Sequence, residues 1–384
     1  MIPFIDLATQ QVRIKPEIDA AIQRVLAHGQ YIMGPEVDLL EEALKEFSGS
    51  QHCIAVSNGT DALIAALMAY EIGPGDAVIT TPFTFFATVE AIILLGATPV
   101  LADIDPQTLN ICPNQIESTI REIHSQNKLR LRGIIPVDLF GLCADYSRIN
   151  AIAEQHGLFV IQDAAQAFGA STPDGKKAPT HGHIGTTSFF PAKPLGGYGD
   201  GGAIFTDNDD IADKIQSIRI HGQGVDKYDN ARIGLNARLD TIQAAILLEK
   251  LKIYSEELDL RQKVAERYSE QMAAIVDSTG QQLIQQQLIP DGCRSAWAQF
   301  VIIGSHRDQI ATALKTKGFP SVVYYRKPAH LLKACQGLTQ QNNLPISEAI
   351  SATILALPFH PYLKPDSLDH IVETIKSVSV DSCN

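Results

Sequence analysis

Short apolar runs alternate with stretches of helical periodicity between about residues 50 and 206. Runs bounded by turn residues predict strands, and apolar positions three or four residues apart predict helices. The predicted strands are 54–57, 77–81, 98–102, 133–137, 158–162, 186–189 and 203–206. The predicted helices between them are 60–70, 84–95, 115–125 and 146–155. Strands that alternate with helices indicate an α/β unit with a mostly parallel central sheet, buried on both faces.

The pattern changes after residue 206, where helices dominate. We predict helices over 209–221 and 240–256, and a separate charged helix over 257–274. The remaining predicted elements are an apolar run at 296–303, a strand near 321–325, and helices near 308–317, 347–353 and 365–378. This predicts a smaller α+β domain at the C-terminus. We place the boundary near 250–260, within helix, so that residues 1–255 form the large domain and residues 256–384 the small one.

Composition narrows the class of protein. The net charge of −12 disfavours nucleic acid and anionic membrane surfaces as partners. The first residues lack the pattern of a signal peptide, and no apolar run is long enough to span a bilayer. The six cysteines are scattered without a C-x-x-C pair, which is typical of free thiols in the cytoplasm. We therefore expect a cytoplasmic protein with no metal site.

Candidate chemistry begins at Lys193, within the apolar and glycine-rich run 188–203. Apolar neighbours such as Phe189 and Leu195 disfavour the ammonium form and lower the pKa of the lysine. The free amine is the form that Schiff-base chemistry requires. Taken alone, a lysine in such a run is more often a surface lysine on a glycine-rich turn, because lysines are rarely buried, so the rest of the sequence has to decide.

Two further motifs follow predicted strands. The segment 57–60 opens a helix, so its backbone N–H groups could hold a phosphate, although Thr60 or Asp61 could simply cap that helix. Asp163 ends another apolar strand. A carboxylate there needs a cationic partner, such as a protonated pyridine nitrogen, unless it caps the next helix.

Aromatic and basic residues complete the set. Phe85 lies just past a strand, where it could stack on a flat ring or belong to the core. Asn236 and Arg238 could contact an anion, or Arg238 could pair locally with an acid. Phosphate cradle, carboxylate, aromatic ring and desolvated lysine together describe a site for pyridoxal 5′-phosphate (PLP).

These motifs resemble the DegT/DnrJ/EryC1/StrS family of sugar aminotransferases. The matching segments are 2–7, 34–36, 57–63, 81–85, 103–105, 163–169, 188–193, 199–202, 221–222, 234–240 and 357–358. They run through nearly the whole chain, and those around Asp163 and Lys193 are the specific ones. The resemblance implies a PLP fold-type I (aspartate aminotransferase-like) homodimer with its site at the subunit interface.

The resemblance also implies roles for individual residues. Lys193 would bind PLP covalently and shuttle a proton, and Asp163 would hold the pyridine nitrogen. Gln166 would lie near the 3-oxygen of the ring, and Phe85 would stack on the ring. The implied phosphate ligands are Gly59, Thr60, Ser188 and, from the partner subunit, Asn236.

The implied substrates are a nucleotide-linked keto-sugar and an amino donor, usually L-glutamate. Segments 189–202 and 222–234 resemble enzymes that aminate UDP-2-acetamido-3-keto-glucuronic acid for surface polysaccharides such as lipopolysaccharide O-antigen. The candidate substrate contacts are Arg238, Tyr325, Arg326 and His330. One departure stands beside them, because related enzymes often carry proline at Arg326 and histidine at Tyr324.

Several alternatives stay open. The substrate could be a 3- or 4-keto dTDP- or UDP-6-deoxyhexose, or the chain could be a PLP-binding regulator without catalysis. A related PLP-dependent sugar dehydratase has histidine in place of the lysine, so Lys193 argues against that activity. A nicotinamide-dependent dehydrogenase is disfavoured because no G-x-G-x-x-G follows the first predicted strand.

Overall fold

The computed structural model describes residues 2–226, 228–341 and 343–381. Its α-helices are α1 (Leu7–Arg13), α2 (Lys15–His28), α3 (Pro35–Ser48), α4 (Gly59–Ala69), α5 (Phe86–Leu94), α6 (Pro113–Gln126), α7 (Tyr146–His156), α8 (Asp209–Ile218), α9 (Thr241–Ala273), α10 (Arg307–Thr316), α11 (Pro345–Thr353) and α12 (Pro365–Asp381). Its strands are β1 (His52–Val56), β2 (Asp76–Thr80), β3 (Thr98–Leu101), β4 (Arg130–Ile135), β5 (Phe159–Asp163), β6 (Ile184–Ser188), β7 (Gly202–Thr206), β8 (Gln285–Gln286), β9 (Phe300–Ile303), β10 (Gln340–Gln341) and β11 (Ile354–Leu357). Short 3-10 turns cover Leu139–Gly141, Ala329–Leu331 and Lys333–Cys335.

The large sheet has the strand order β1-β7-β6-β5-β4-β2-β3-β10. Its neighbours pair in parallel except at β7, which runs antiparallel to both β1 and β6. Apolar side chains of α3, α6, α7 and α9 pack on one face, and those of α4, α5 and α8 pack on the other. The predicted α/β architecture with a mostly parallel sheet is therefore confirmed.

A smaller antiparallel sheet, β11-β9-β8, lies in the C-terminal part of the chain. It shares a core with α10, α12 and the second half of α9. The chain also returns to the large sheet, where β10 pairs with β3. Nearby, the carboxylate of Asp103 accepts backbone N–H groups of Ile346 and Ser347 at 2.9 and 3.0 Å. These contacts connect the C-terminal part of the chain, which contains the smaller sheet and is called the small unit below, to the carboxyl end of β3.

Three predictions about elements were wrong. The two helices expected over 240–256 and 257–274 are the single 33-residue helix α9 (Thr241–Ala273), because the segment contains neither glycine nor proline to end the first one. The expected strand near 321–325 is only an isolated bridge between Val322 and Ala356. The helix expected over 209–221 ends at Ile218.

Other features lay beyond the hydrophobic pattern. No element was predicted between residues 7 and 48, where α1, α2 and α3 lie. Cys383, one of the six cysteines, lies outside the described residues. Within the described part of the chain, no helix combines the length and apolarity that crossing a bilayer requires.

Candidate active site

The candidate residues converge because three strand ends meet at one edge of the large sheet. Asp163 is the last residue of β5 and Ser188 the last residue of β6. Since β1 and β6 both run antiparallel to β7, the end of β1 and the loop after it point to the same edge. The carboxyl edge of such a sheet is where α/β proteins bind their ligands.

Asp163 is a buried carboxylate at this edge, with 5% of its surface exposed. Its Oδ2 accepts the hydroxyl of Thr88 at 2.7 Å, and its Oδ1 accepts the backbone N–H of Ala165 at 3.2 Å. Burial raises the pKa of the carboxyl, which these hydrogen bonds and the charge of Lys193 partly offset. A cation placed against Asp163 would therefore favour its ionised form.

Lys193 lies in the loop after β6, which turns back where the Lys193 N–H donates to the Phe190 carbonyl at 2.8 Å. Burial lowers the pKa of the Lys193 amine, and the charge of Asp163 opposes that shift. Further along the loop, Lys250 of α9 donates from Nζ to the carbonyl of Gly196 at 2.6 Å. Lys193 is thus a partly buried lysine whose charge interacts with that of the buried Asp163 carboxylate, on a loop that a hydrogen bond from α9 holds in place.

The N-terminus of α4 faces Ser188. A Cβ added to Gly59 would lie 2.8 Å from the Cβ of Ser188, so only glycine lets the helix end approach β6 this closely. The first-turn N–H groups of α4, at Gly59 and Thr60, have no intrahelical acceptor. Gly59, Thr60 and Ser188 are therefore brought together as predicted for a phosphate cradle.

The cap of this helix is different from the expected one. Asn58 is the N-cap, and its Oδ1 accepts the N–H of Asp61 at 2.8 Å. The side chains of Ser57 and Asn58 both donate to the Asp61 carboxylate. The expectation that Thr60 or Asp61 caps α4 was wrong, because the asparagine one turn earlier already satisfies the helix end.

Gln166 links the Asp163 loop to the small unit. It is 5% exposed; its Oε1 accepts the Phe140 N–H at 2.7 Å, and its Nε2 donates to the Tyr325 hydroxyl oxygen at 3.0 Å. Phe83 packs edge-on against the Tyr325 ring at 5.9 Å. Burial also raises the pKa of Tyr325, so its hydroxyl stays protonated at neutral pH. Two candidates from distant parts of the sequence thus lie side by side.

Phe85 takes a different position from its neighbour Phe83. The N-cap of α5 is Phe85, and 59% of its surface is exposed, whereas Phe83 is fully buried. Phe83 therefore belongs to the core. Phe85 instead has an exposed ring face that could stack on a flat ring.

The basic candidates are less closely grouped. Arg238 donates from Nε to the Asn236 side-chain oxygen at 3.1 Å. The backbone segment that contains both residues lies antiparallel to the end of β1. Arg326 is exposed. The Nε2 of His330 lies 3.1 Å from the Glu348 carboxylate of α11. His330 is therefore paired with α11, while the neighbouring Ala329 N–H donates to the Pro82 carbonyl at 2.7 Å, in the loop before Phe85.

Three polar residues near the site, Thr84, Thr88 and Asp138, had no role that the sequence could assign, although the loop of Asp138 was expected to face the site. Thr88 follows Thr84 by one helical turn, and the two hydroxyl oxygens lie 3.0 Å apart. That spacing on a helix just after a strand is a signal that the sequence contained. Asp138 is fully buried, and burial raises its pKa to about 7. It accepts hydrogen bonds from Ala144, Tyr146 and Gln162. No helical or strand periodicity relates Asp138 to these three residues, so the sequence contained no sign of the contacts.

The histidines at 181 and 183 have structural partners. The ring of His181 stacks on Tyr146 with centroids 4.9 Å apart, and His183 Nδ1 accepts the Val160 N–H at 3.0 Å. The described residues contain no group of three or more His, Cys, Asp or Glu side chains that could hold a metal ion.

These residues fit PLP. The buried carboxylate of Asp163 needs a cationic partner, which the protonated ring nitrogen of PLP supplies. Lys193 offers an amine of lowered pKa, and the glycine-narrowed junction of α4 with Ser188 offers N–H and hydroxyl groups for a phosphate.

Comparisons with known proteins agree with this geometry. The sequence profile of the DegT/DnrJ/EryC1/StrS aminotransferase family matches residues 12–376. A UDP-2-acetamido-2-deoxy-3-oxo-D-glucuronate aminotransferase of Pseudomonas aeruginosa is 47% identical over 96% of this chain and 98% of its own. A pleiotropic regulatory protein of Geobacillus stearothermophilus is 40% identical over 97% of each chain.

Solved structures are similar as well. A DegT DnrJ EryC1 StrS aminotransferase from Brucella abortus superposes with a TM-score of 0.95 at 46% identity, over 99% of this chain and all of that one. NtdA from Bacillus subtilis, with bound cofactor PMP, superposes with a TM-score of 0.85 at 31% identity, over 98% of this chain and 83% of that one.

Proposed function

Because this chain belongs to the DegT/DnrJ/EryC1/StrS aminotransferase family, we propose that it transfers an amino group from L-glutamate to UDP-2-acetamido-3-keto-glucuronic acid. Family and relatives make the chain an aminotransferase of fold-type I, with PLP as its cofactor. The observation that carries the choice of sugar is the 47% identity, along almost the whole chain, to an aminotransferase of that keto-sugar. The product would be a 3-amino sugar for a surface polysaccharide.

The cofactor would be held by residues already placed at the sheet edge. Lys193 would bind it covalently through Nζ, Asp163 would pair with the ring nitrogen, and Gln166 would lie near the 3-oxygen. Further ligands in the proposal are Gly59, Thr60 and Ser188 for the phosphate, with Phe85 against the ring and Asn236 reaching the phosphate from the partner subunit. When bound, PLP supplies an electron sink and carries the amino group between the two substrates.

Two residues perform the proton chemistry in this proposal. Asp163 keeps the ring nitrogen protonated, since burial makes its carboxylate depend on a cationic partner. Lys193 removes the proton from the α-carbon of glutamate and later delivers a proton to the sugar carbon that receives the amine. Its lowered pKa suits this role, because more of the amine is free at neutral pH.

The sugar nucleotide would bind near the basic and aromatic residues at the mouth of the site. Tyr325 is the best supported contact, because its hydroxyl meets Gln166 beside the cofactor candidates. Arg238 and the exposed Arg326 would face the pyrophosphate or the carboxylate of the sugar. His330 stays in the proposal only through its place near Arg326, since its ring pairs with Glu348.

A homodimer with shared sites is part of the proposal. Val225, Tyr228 and Ile233 each expose 84% or more of their surface, in the segment that leads to Asn236. Exposed apolar side chains that cluster in one segment are typical of an interface. A second copy of the chain that covered them would be well placed to receive Asn236 and Arg238.

The cytoplasm is the compartment that we propose for this enzyme. Cys53, Cys143 and Cys335 are free thiols with buried side chains, a pattern that suits a reducing compartment.

A half-reaction screen tests the proposed function. Purified holoenzyme is first loaded with L-glutamate, which converts its absorbance to that of the amino form, and is then challenged with a panel of UDP- and dTDP-linked keto-sugars. We expect the absorbance of the PLP form to return with UDP-2-acetamido-3-keto-glucuronic acid, and the amino sugar to appear by mass spectrometry. Lys193→Ala is the control, in which the absorbance of covalently bound PLP and the turnover are both expected to be lost.

Recovery with a 6-deoxyhexose instead would replace the sugar in the proposal. A regulator is the second candidate, since a pleiotropic regulatory protein shares 40% identity with the chain. That candidate predicts PLP binding without any glutamate half-reaction, so the first step of the same screen separates the two.

A further inference from the structure

A small cavity lies beside Lys193. It is enclosed by the N-terminal segment, the Lys193 loop, α9 and the chain after β11. The residues that matter for its chemistry are Asp6, Lys193, Arg261, His360 and Tyr362. The volume of the cavity is about 10 Å³, which suits one small polar group.

Two buried side chains at this cavity have unused hydrogen-bonding atoms. His360 is 3% exposed, and neither of its ring nitrogens has a partner among the described residues. Arg261 is 5% exposed; its Nη1 donates to the Trp297 carbonyl at 3.0 Å, whereas its Nε finds no acceptor in the described part of the chain. Buried polar atoms are rarely left unpaired, so this cluster indicates an occupant, either a substrate group or an ordered water, that hydrogen-bonds to them.

The nearby acids are engaged with other groups. Glu257 accepts both hydrogen bonds from Gln10, at 2.9 and 2.8 Å, and a further one from the Tyr362 hydroxyl. Asp6 accepts the N–H and hydroxyl of Thr9 at 3.0 and 2.6 Å. The unused groups are therefore mainly donors, namely the guanidinium, the amine of Lys193 and the N–H of the imidazole.

Burial also favours the neutral imidazole, since it lowers the pKa of His360 to about 4 although Asp6 opposes the shift. A neutral ring offers one donor and one acceptor. Arg261 then supplies the only positive charge of the pair; among the described residues no carboxylate lies within ion-pair distance of it, although the charge of the buried Glu257 acts on it. Such a site selects a small anionic acceptor.

We infer that this cavity receives a carboxylate oxygen of the amino-acid donor, with Arg261 and His360 as its binding residues. The inference rests on the proposed function, because it assigns a place to the donor of that reaction. The donor must present its α-carbon to Lys193, and the cavity adjoins that residue. The cavity has room for one carboxylate oxygen only, and because the proposed keto-sugar also carries a carboxylate, the comparison of the two half-reactions distinguishes the donor from the sugar.

The experiment compares the two half-reactions in Arg261→Met, Arg261→Lys and His360→Gln holoenzymes. Loss of one charge-assisted hydrogen bond costs about 10- to 100-fold in affinity. We expect Arg261→Met to lower kcat/KM for L-glutamate by about 30-fold or more, mainly through KM. The reaction of the amino-loaded enzyme with keto-sugar is expected to change less than about 3-fold, and Arg261→Lys to restore part of the loss.

Binding of glutarate gives a second readout that does not depend on turnover. This dicarboxylate lacks an amino group, and its affinity is measured by calorimetry on the PLP-loaded protein. We expect about 10-fold or weaker binding in Arg261→Met and in His360→Gln. Arg267→Met is the matched control, since Arg267 lies on the same helix but forms a partly exposed pair with Asp369 at 2.7 Å.

Unchanged glutarate binding, or an equal loss in both half-reactions, would overturn the inference and leave an ordered water as the occupant. If a substitution prevents folding at one position, the variant at the other position decides. A wild-type enzyme that reacts with glutamate but with no keto-sugar would refute the proposed sugar, while the glutamate and glutarate data would still test the cavity.

Discussion

At the scale of single residues, the site depends on a carboxyl and an amine that are both unfavourable when charged. Burial raises the pKa of Asp163 and lowers that of Lys193, and each partly offsets the other. Among the described residues, the hydroxyl of Thr88 supplies the shortest side-chain hydrogen bond to Asp163. The charge state of the carboxyl therefore depends on a threonine that no active-site motif contains.

Replacing Thr88 tests this dependence. Thr88→Val removes the donor and leaves Asp163 Oδ2 short of a partner, which raises the pKa of the carboxyl further. We expect the rate of the glutamate half-reaction to fall about 10-fold, measured by stopped-flow absorbance. Thr88→Ser keeps the hydroxyl and serves as the control. Equal rates for the valine and serine variants would show that the hydrogen bond does not matter.

Asp138 leads to a prediction about pH. Its pKa is about 7 in the folded protein against an ordinary value of 3.8, so the folded state holds more protons between these values. The contribution of Asp138 to the free energy of unfolding therefore falls as pH rises from about 4 to 7. Asp138→Asn removes this titration.

Urea unfolding at pH 5 and at pH 7 measures the effect. As pH rises, the free energy of unfolding of the wild type should fall relative to that of Asp138→Asn. The change is expected to be at most about 1 kcal/mol per pH unit. The altered hydrogen bond to Gln162 in the variant does not titrate, so it cancels from this comparison. A difference that is independent of pH would contradict the prediction.

At the scale of elements, the junction of α4 with β6 is the phosphate cradle that we propose. Gly59→Ala would place a Cβ 2.8 Å from the Cβ of Ser188, and neither backbone has room to move away without opening the cradle. We expect PLP to bind about 10-fold more weakly or worse, measured by fluorescence titration of the apoprotein.

Gly73→Ala is the control, because a Cβ there meets only the Leu95 carbonyl oxygen at 4.0 Å. Its PLP affinity should equal that of the wild type. A normal affinity in Gly59→Ala would place the phosphate elsewhere.

Elements were predictable where a local pattern determines them. Buried parallel strands such as β5 are short apolar runs, and the predicted strand 158–162 overlaps it closely. A break was wrongly predicted within α9, because the sequence changes there from apolar to charged residues and such a change resembles the end of a helix. Contacts between distant segments, such as Gln166 with Tyr325 or the cavity at Arg261, have no local pattern and required the folded chain. The resemblance, and not periodicity, supplied most of the site.

At the scale of the whole molecule, the exposed apolar segment before Asn236 predicts the assembly. Val225→Asp combined with Ile233→Asp should weaken the dimer, since each change would bury a charge in the interface. Sedimentation velocity should then show monomers, with activity lost because Asn236 no longer reaches a partner. Leu338→Asp is the control, at the opposite edge of the large sheet beside β10. A dimer that survives the double change would place the interface elsewhere.

The unbroken course of α9 has a consequence for how the molecule comes apart. At 1.5 Å per residue its 33 residues reach about 50 Å, from the core of the large sheet into the core of the small one. One rod thus belongs to both cores, and β10 adds a second tie. If either unit unfolded alone, the half of α9 that belongs to its core would lose its packing contacts. We expect one calorimetric transition for the protomer, and two resolved transitions would show that the rod breaks in the middle.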